Sequence, residues 1–173
     1  MTTANKLTLL RVILIPVFLI VLYWGFPGAN WVALAIFILA SLTDFVDGYI
    51  ARHYNQITDF GKFMDPLADK MLVMAAMCWF VQNGQMWGWV LALVLLREFA
   101  VSGLRLVAVE QGKVIAAAWS GKIKTASTMV CLCLMLAFNI GWLNMVSQLL
   151  ILVTTLYSGV EYFVKNIQVF KAA

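Results

Sequence analysis

Charged side chains are scarce in this sequence. Only 12% of its 173 residues are Asp, Glu, Lys or Arg, whereas 64% are hydrophobic. An ordinary soluble domain has about 25% charged and about 45–50% apolar residues. A soluble protein this apolar would lack the polar side chains needed to cover its surface. The mean hydropathy of +0.92 points the same way, and the composition therefore predicts an integral membrane protein.

Cysteine is also rare, and its spacing is not that of a metal site. The three cysteines, Cys78, Cys131 and Cys133, lie in apolar stretches, and no two of them form a CxxC pair. The pattern gives no indication of a disulfide framework. We therefore expect all three to be small buried hydrophobic residues.

Clusters of Gly, Pro, Asn and other polar residues divide the apolar sequence into six segments. A transmembrane helix needs about 20 residues, so six helices use about 120 and leave no room for a separate soluble catalytic domain. The predicted fold class is an all-α integral membrane protein with six transmembrane helices, forming a single domain over residues 1–173. The predicted spans are approximately 8–25, 30–51, 66–83, 86–109, 120–139 and 142–164. Arg11 interrupts the first apolar run and no small-residue cleavage site follows, so we expect this span to be retained.

The basic residues are distributed unevenly over the two sides of the predicted bundle. The connections at 25–28, 82–85 and 139–142 contain no Lys or Arg. Eleven of the twelve bases fall on the other side, at or near the ends of the predicted spans, and only Arg97 lies deep within a span. By the positive-inside rule both termini are cytoplasmic, which requires an even number of helices. The net charge of +4 is then explained by cytoplasmic loops facing anionic lipid rather than by nucleic acid, and the predicted location is the cell membrane.

Acidic residues are few, but most of them are close together. Five of the eight lie within 26 residues, at the predicted cytoplasmic ends of the second and third spans: Asp44, Asp47, Asp59, Asp65 and Asp69. The spacing i, i+3, i+4 and i+7 gives one helix face to Asp44, Asp47, Gly48 and Ala51. Asp65 precedes Pro66, which is typical of a helix start, so we expect Asp65 to cap the third helix. Asp69 lies one turn later on the same face.

Four of these carboxylates can point to one place, at Asp44, Asp47, Asp65 and Asp69. They cannot converge at a membrane interface without compensation, because mutual repulsion and desolvation would protonate them. One or two divalent cations would neutralise them, and all-oxygen ligation favours Mg²⁺ or Mn²⁺ over Zn²⁺. The pattern predicts a metal site at the cytoplasmic interface.

The glycines around the acids fit a metal site with a bound ligand, whereas the neighbouring bases also allow an ion-paired loop without a metal. Gly48 and Ala51 leave a strip where a flat ligand can approach the backbone, and Gly61 is expected to let the loop between the helices turn tightly. The alternative is a solvated or ion-paired loop in which Arg52 and Lys62 are the partners of the carboxylates. Four acids on matched faces favour the metal site, since ionisable groups in membrane segments are usually functional.

The same window resembles the signature of the CDP-alcohol phosphatidyltransferase family, D-x2-D-G-x2-A-R-x8-G-x3-D-x3-D. All eight fixed positions are met, by Asp44, Asp47, Gly48, Ala51, Arg52, Gly61, Asp65 and Asp69. The chain length and the six-segment layout are also similar to the catalytic unit of that family. The resemblance implies an enzyme that displaces CMP from a CDP-linked lipid, with an alcohol as the nucleophile.

The resemblance also implies roles for individual residues. Two metal ions would share Asp44 and Asp65, with Asp47 on the first ion and Asp69 on the second. Asp69 would also be the general base that takes the proton of the acceptor hydroxyl. Two cations on a pyrophosphate can stabilise both the attacking and the leaving oxygen. The resemblance also suggests that the protein forms a homodimer.

The CDP group would be held by residues of the signature and of the N-terminus. Expected CDP-diacylglycerol contacts are Asn5, Thr8, Gly48, Ala51, Arg52, Thr58 and Gly61. The first two belong to a stretch ending at Arg11 that resembles the family's N-x-L-T-x-x-R segment. A Pro commonly precedes that Asn, whereas this chain has Ala4.

A second group of charged residues lies in the C-terminal half and suggests the acceptor. The stretches around Arg97 to Arg105 and Gly121 to Thr125 resemble the phosphatidylglycerophosphate synthase branch, whose acceptor is sn-glycerol 3-phosphate. Fixed cations beside a carboxylate–metal site would suit an acceptor that is itself anionic. The candidate acceptor-phosphate residues are Arg97, Arg105, Lys113, Lys122 and Lys124. The lysines could instead be interfacial anchors, and Glu98 with Arg105 could form an ion-pair network; Glu161 is expected to be a structural partner of a base.

The predicted reaction is therefore CDP-diacylglycerol plus sn-glycerol 3-phosphate giving phosphatidylglycerophosphate plus CMP. Inositol phosphate or phosphatidylglycerol as the acceptor is the nearest alternative within the family. A divalent-cation transporter is the alternative from another class, but it would need acids near the bilayer midplane with access from both sides. A purely structural membrane protein would leave the carboxylates without a role.

Overall fold

The computed structural model describes residues 3–53, 59–112, 115–116 and 118–168, and the side chains of residues 3–7, 44–53, 59–66 and 69 lie outside that description. The described residues form six α-helices and no strand. The helices are α1 (Thr3–Trp24), α2 (Ala29–His53), α3 (Asp59–Gln82), α4 (Gly88–Glu110), α5 (Trp119–Ala137) and α6 (Gly141–Lys165). They coincide with the six predicted segments, so the all-α prediction is confirmed.

Two helices begin several residues earlier than their predicted spans, α1 by five residues at Thr3 and α3 by seven. α3 begins at Asp59 and contains Gly61, Asp65 and Pro66, so the predictions that Asp65 caps this helix and that Gly61 turns a loop are wrong. A proline lacks the backbone N–H and crowds only the turn before it, so a helix can continue on both sides where packing holds it. α1 contains Pro16 in the same way.

The chain forms two compact units, Met1–Gln82 with Leu136–Asn139, and Asn83–Met135 with Ile140–Ala173. In the first unit, α1 packs against α2 and α3, and α2 also contacts α3. The turn between α1 and α2 is short because Gly25 and Gly28 have φ values of +65° and +89°, which glycine adopts without strain.

Small residues along α2 let α1 approach closely. Ala29, Ala33 and Ala40 are buried together with Phe37, at spacings that place them on one helix face. The Phe37 ring lies 5.9 Å from the Phe18 ring of α1, centroid to centroid. This face makes α1 and α2 an antiparallel pair whose α2 member carries Asp44 and Asp47 towards its C-terminal end.

Arg11 is a polar exception in the core of the first unit. Its side chain is fully buried, and its Nε donates a hydrogen bond to the carbonyl oxygen of Ala40 at 3.2 Å. The hydroxyl of Thr43 donates to the same oxygen at 2.7 Å. α1 and α2 are therefore joined by a polar contact as well as by packing.

In the second unit α4 packs against α6, and α6 has an unusual distribution of polarity. Its buried positions are largely polar, at Asn144, Ser147, Gln148, Ile151, Thr155, Ser158 and Tyr162. Its outward positions are apolar, and Trp142, Val153 and Val164 are all more than half exposed. A helix with polar residues inside and apolar residues outside is suited to a lipid environment rather than to water.

Among the described residues, α6 is the helix long and apolar enough to cross a membrane on its own. Shorter apolar helical stretches of 10–17 residues are Thr8–Trp24, Ala29–Thr43 and Lys70–Gln82. The apolar sequence of α4 is interrupted by the charged residues Arg97, Glu98 and Arg105, although the helix is continuous. The expectation that the cysteines are buried holds for Cys131 and is wrong for Cys78, which is exposed, while Cys133 is partly buried.

Candidate functional site

The four aspartates of the predicted metal site lie on two helices that are consecutive in the chain and in contact. Asp44 and Asp47 belong to the C-terminal part of α2, and Asp65 and Asp69 belong to α3. The backbone is helical at all four, so each pair has the i, i+3 or i+4 spacing that places both residues on one face. Their side chains lie outside the described part of the structure.

The donor set at these positions fits a hard divalent cation. It consists of four carboxylates and contains no sulfur or imidazole, which is the ligand chemistry of Mg²⁺ or Mn²⁺. Elsewhere, the side chains that the structure describes include no group of three or more His, Cys, Asp or Glu suited to a metal ion. The aspartates of α2 and α3 therefore remain the candidate ligands.

The residues predicted to hold the CDP group are divided between α1, α2 and α3. Thr8 is buried on the inner face of α1, and Asn5 lies one turn earlier in the same helix. Gly48, Ala51 and Arg52 belong to α2 and Gly61 to α3, with side chains outside the description. Thr58 lies outside the described residues altogether.

In the second unit, a partly buried carboxylate joins two of the predicted acceptor-phosphate residues. Glu98 Oε1 accepts hydrogen bonds from Arg97 Nη1 at 2.8 Å and from Lys124 Nζ at 2.7 Å. The Lys124 side chain is only 6% exposed, and those of Arg97 and Glu98 are each 12% exposed. The structure thus brings together residues of α4 and α5 that are 26 positions apart.

A tyrosine of α6 joins the other predicted arginine to this group. Tyr162 is buried, and its Oη accepts hydrogen bonds from Arg105 Nη2 at 2.7 Å and from the backbone N–H of Ala118 at 2.9 Å. The guanidinium carbons of Arg97 and Arg105 lie 5.5 and 5.4 Å from the centre of the Tyr162 ring. Arg97 Nη2 also donates to Ser158 Oγ at 2.6 Å. We call Arg97, Glu98, Arg105, Lys124, Ser158 and Tyr162 the cationic cluster.

Two glycines make room for the cationic cluster. A Cβ atom on Gly159 would lie 3.3 Å from Arg97 Cγ. A Cβ atom on Gly121 would lie 3.3 Å from Tyr162 Cε2 and 3.6 Å from Arg97 Nη2. Gly121 belongs to α5 and Gly159 to α6, and both helices approach Arg97 closely because these two positions have no side chain.

The other two predicted phosphate residues are not in the cationic cluster. Lys122 is exposed, and its Nζ lies 5.2 Å from the centre of the Trp119 ring, an arrangement typical of an interfacial cation–π pair. Lys113 lies outside the described residues. Glu161 pairs with Lys165 one turn later in α6, which confirms the structural role expected for it.

Ser158 and Tyr162 are members of the cationic cluster to which the sequence analysis assigned no role, although the stretch 157–163 also resembles the phosphatidylglycerophosphate synthase branch. Their signal is the buried stripe along α6, whose positions recur every three or four residues and are polar except at Ile151. In a helix with so apolar an outer surface, such a stripe indicates an interior polar contact.

The sequence matches the model of the CDP-alcohol phosphatidyltransferase family over residues 1–157. The chain belongs to this family. The family predicted from the aspartate signature is therefore confirmed, and the match covers α1 to α5 and most of α6.

Three relatives are similar to most of this chain and to most of their own length. A CDP-diacylglycerol–glycerol-3-phosphate 3-phosphatidyltransferase of Bacillus subtilis is 42% identical, over 98% of this chain and 97% of the relative. A protein with the same name from Salmonella paratyphi A is 42% identical over 90% of each chain. A probable phosphatidylglycerophosphate synthase of Mycobacterium tuberculosis is 39% identical, over 95% of this chain and 81% of the relative.

Proposed function

We propose that this CDP-alcohol phosphatidyltransferase transfers the phosphatidyl group of CDP-diacylglycerol to sn-glycerol 3-phosphate, giving phosphatidylglycerophosphate and CMP. The observation that carries the proposal is the 42% identity, over 98% of the chain, to a relative named for this reaction. The cationic cluster of the second unit supports the same acceptor on independent physical grounds.

The charge of the cationic cluster is suited to a phosphate monoester. Arg97, Arg105 and Lys124 carry three positive charges, and Glu98 is the one acid among the cluster residues, so the cluster keeps a net charge of +2. A phosphate monoester carries about −1.5 to −2 charges at neutral pH. Arginine is well suited to bind its oxygens in pairs, whereas a neutral or zwitterionic alcohol would not need this excess charge.

The aspartates of α2 and α3 supply the reacting end of the site in this proposal. Asp44 and Asp65 would each bind both of two divalent cations, with Asp47 on one ion and Asp69 on the other. When bound, the ions would neutralise the pyrophosphate of the CDP-lipid. Asp69 accepts the proton of the acceptor hydroxyl, and the acceptor oxygen forms a bond to the phosphorus that carries diacylglycerol. The bond from that phosphorus to the CMP oxygen breaks, and CMP leaves.

The nucleotide side of the site is proposed at the N-terminal half of the chain. Asn5, Thr8, Gly48, Ala51, Arg52, Thr58 and Gly61 are the proposed CDP-diacylglycerol contacts. Gly48 and Ala51 have the smallest side chains on the aspartate face of α2, so a bound nucleotide could lie close to the helix there. The cationic cluster then takes the acceptor, with Lys122 and Lys113 as secondary candidates.

The proposed setting is the cell membrane, with all six helices crossing it, both termini in the cytoplasm, and two copies forming a homodimer. The apolar outer face and polar inner face of α6 support a location in the bilayer. The uneven distribution of bases supports the proposed orientation of the termini. The acyl chains of the lipid substrate would then stay in the bilayer while the phosphates react at its cytoplasmic surface.

An acceptor panel tests the proposed reaction. Purified protein in detergent is given CDP-diacylglycerol with glycerol 3-phosphate, inositol phosphate, phosphatidylglycerol, serine or inositol, and CMP release is measured. We expect release with glycerol 3-phosphate and little with the other acceptors. Release with inositol phosphate or phosphatidylglycerol and not with glycerol 3-phosphate would overturn the proposed acceptor but not the family.

Removal of divalent cations tests the role of the aspartates. Excess EDTA should abolish CMP release, because four carboxylates without a counter-ion cannot hold a pyrophosphate. Added Mg²⁺ or Mn²⁺ should restore CMP release, whereas Na⁺ added in place of a divalent cation should not. Full activity after exhaustive chelation would contradict the metal proposal.

A further inference from the structure

We propose that Tyr162 is a positioning residue of the acceptor-phosphate site, acting through Arg97 and Arg105. This inference rests on the proposed function and adds to it a residue outside the part of the chain that matches the family model, which ends at residue 157.

The first argument is that one side chain contacts both guanidinium groups. The Tyr162 ring has the guanidinium carbons of Arg97 and Arg105 at 5.5 and 5.4 Å from its centre, within the range of a cation–π contact. Its Oη also accepts a hydrogen bond from Arg105 at 2.7 Å. The two arginines of α4 are eight positions apart, and Tyr162 fixes the position of one relative to the other.

The second argument concerns charge. A carboxylate at this place would fix the arginines equally well, but it would also cancel one of their charges. A phenol oxygen and an aromatic face hold a guanidinium and leave its charge in place. Tyr162 therefore orders two cations while leaving them able to bind an anion, as a phosphate site requires.

The third argument is that Tyr162 is itself held firmly. Its side chain is 2% exposed, and its Oη accepts a second hydrogen bond, from the Ala118 backbone N–H just before α5. Ser158 lies one turn earlier on the same face of α6 and accepts from Arg97 at 2.6 Å. A buried phenol that accepts two hydrogen bonds, with a hydroxyl one turn away, forms a rigid support for the two arginine side chains.

The decisive experiment is steady-state kinetics of full-length Tyr162→Phe with glycerol 3-phosphate and CDP-diacylglycerol varied separately. The variant keeps the ring but removes the oxygen that Arg105 and Ala118 use. We expect the KM for glycerol 3-phosphate to rise about tenfold, the effect of losing a hydrogen bond to a charged group. The KM for CDP-diacylglycerol should stay within about twofold, because the contacts described for Tyr162 are with the arginines proposed for the acceptor and with Ala118.

Tyr157→Phe is the matched control, since it makes the same chemical change on an exposed residue of the same helix. It should leave both KM values and the thermal midpoint unchanged. Tyr162→Leu removes the ring as well and should raise the glycerol 3-phosphate KM further than Tyr162→Phe. If Tyr162→Leu fails to fold, the Tyr162→Phe values still decide the matter.

A double-mutant cycle with Arg105→Ala separates positioning from general stability. If Tyr162 acts through Arg105, Tyr162→Phe should add less than twofold to the KM for glycerol 3-phosphate once Arg105 is absent. Additive effects, equal changes in both KM values, or a loss of kcat that follows the thermal midpoint would overturn the inference.

The wild-type enzyme in the same assay distinguishes failure of the inference from failure of the proposed function. If the wild type uses glycerol 3-phosphate and Tyr162→Phe leaves its KM unchanged, the inference fails and the proposed function stands. If the wild type uses inositol phosphate instead, the proposed acceptor fails, and the same variants assayed with that acceptor test Tyr162. A wild type that releases CMP with no phosphorylated acceptor overturns both.

Discussion

Asparagine has nearly the shape of aspartate but neither its charge nor its basicity, so Asp69→Asn separates chemistry from fold. We expect turnover to fall by about 10³-fold or more, because a general base alone contributes about 10²–10⁴-fold and a proposed metal ligand is lost too. CMP release measures the loss, and the thermal midpoint in detergent should stay near that of the wild type.

Asp59→Asn is the control for this change. Asp59 belongs to the same acidic window and to the same helix, α3, but not to the signature. Asparagine is about as good as aspartate at a helix start, so activity and stability should both be retained. Equal losses in the two variants would mean that the charge of the window, rather than the Asp69 carboxylate, is what matters.

Gly159→Ala tests how tightly Arg97 is seated. The added Cβ would lie 3.3 Å from Arg97 Cγ, so the arginine must shift by a few tenths of an ångström or leave its rotamer. A strained rotamer costs about 0.5–1.5 kcal/mol, and we expect the KM for glycerol 3-phosphate to rise about threefold to tenfold. Steady-state kinetics measures this change.

Gly103→Ala is the matched control for Gly159→Ala, since Gly103 lies within α4 and a Cβ there meets nothing within 4 Å. It should leave the KM values unchanged and slightly raise the thermal midpoint, because alanine favours a helix. An unchanged KM in Gly159→Ala would show that Arg97 can move without cost.

At the scale of whole helices, the sequence allowed all six elements to be predicted but not where α3 begins. Apolar runs and their interruptions located the helices, because lipid-facing and core-facing residues are both apolar over long stretches. Pro66 was a misleading signal, since it marks a helix start only when the residues before it are not themselves helical. Those residues, from Asp59 to Asp65, continue the helix.

The aspartates of the candidate site could be predicted from the sequence, whereas the contacts within the cationic cluster could not. The aspartates follow a local spacing that a helix converts directly into a shared face, so the sequence alone was sufficient to group them. The contacts of Arg97 with Ser158 and of Arg105 with Tyr162 join residues 61 and 57 positions apart. No local periodicity specifies a contact between two helices, so Arg97 and Arg105 were found by their charge and Tyr162 was given no role.

α6 also stabilises the start of α4. The N-cap residue of α4, Trp87, has no side-chain cap of its own, and its backbone N–H donates instead to Gln148 Oε1 of α6 at 3.0 Å. Gln148→Met should lower the free energy of unfolding by about 1 kcal/mol, the net value of one hydrogen bond. A thermal melt in detergent measures the shift.

The kinetics of Gln148→Met should separate stability from catalysis. Gln148 lies 14 positions before Tyr162 in α6, which is about 21 Å along the helix axis. The KM for glycerol 3-phosphate should therefore stay at the wild-type value while the melting temperature falls. Leu149→Met, on the neighbouring exposed position, should change neither, and a Gln148 variant as stable as the wild type would contradict the capping role.

At the scale of the whole molecule, the distribution of charge predicts the topology. The connections at 25–28, 82–85 and 139–142 lack Lys and Arg and should lie on the outer side of the membrane. Alkaline phosphatase fused within them should be active, and green fluorescent protein fused after residue 173 should fluoresce. An active phosphatase at the C-terminus would contradict the orientation and the even number of spans.

The two compact units also divide the proposed chemistry. The first contains the aspartates, which would hold the nucleotide end of the lipid, and the second contains the cationic cluster, which would hold the acceptor. Exchange of residues 83–135 and 140–173 with those of a family member that uses another phosphorylated alcohol is expected to change the acceptor and leave CDP-diacylglycerol as the donor. CMP release by the exchanged protein, measured with both acceptors, checks this expectation.

The buried Arg11 has a consequence for how the protein is made. An arginine within a membrane helix costs free energy when the helix enters the membrane alone, up to about 2.5–3.5 kcal/mol at the helix centre. The acceptor for Arg11 Nε is the carbonyl oxygen of Ala40 on the next helix, and that residue emerges from the ribosome only after α1 is complete. During biosynthesis α1 therefore gains this hydrogen bond only once α2 has joined it, so we expect the insertion machinery to release the two helices together, as a hairpin.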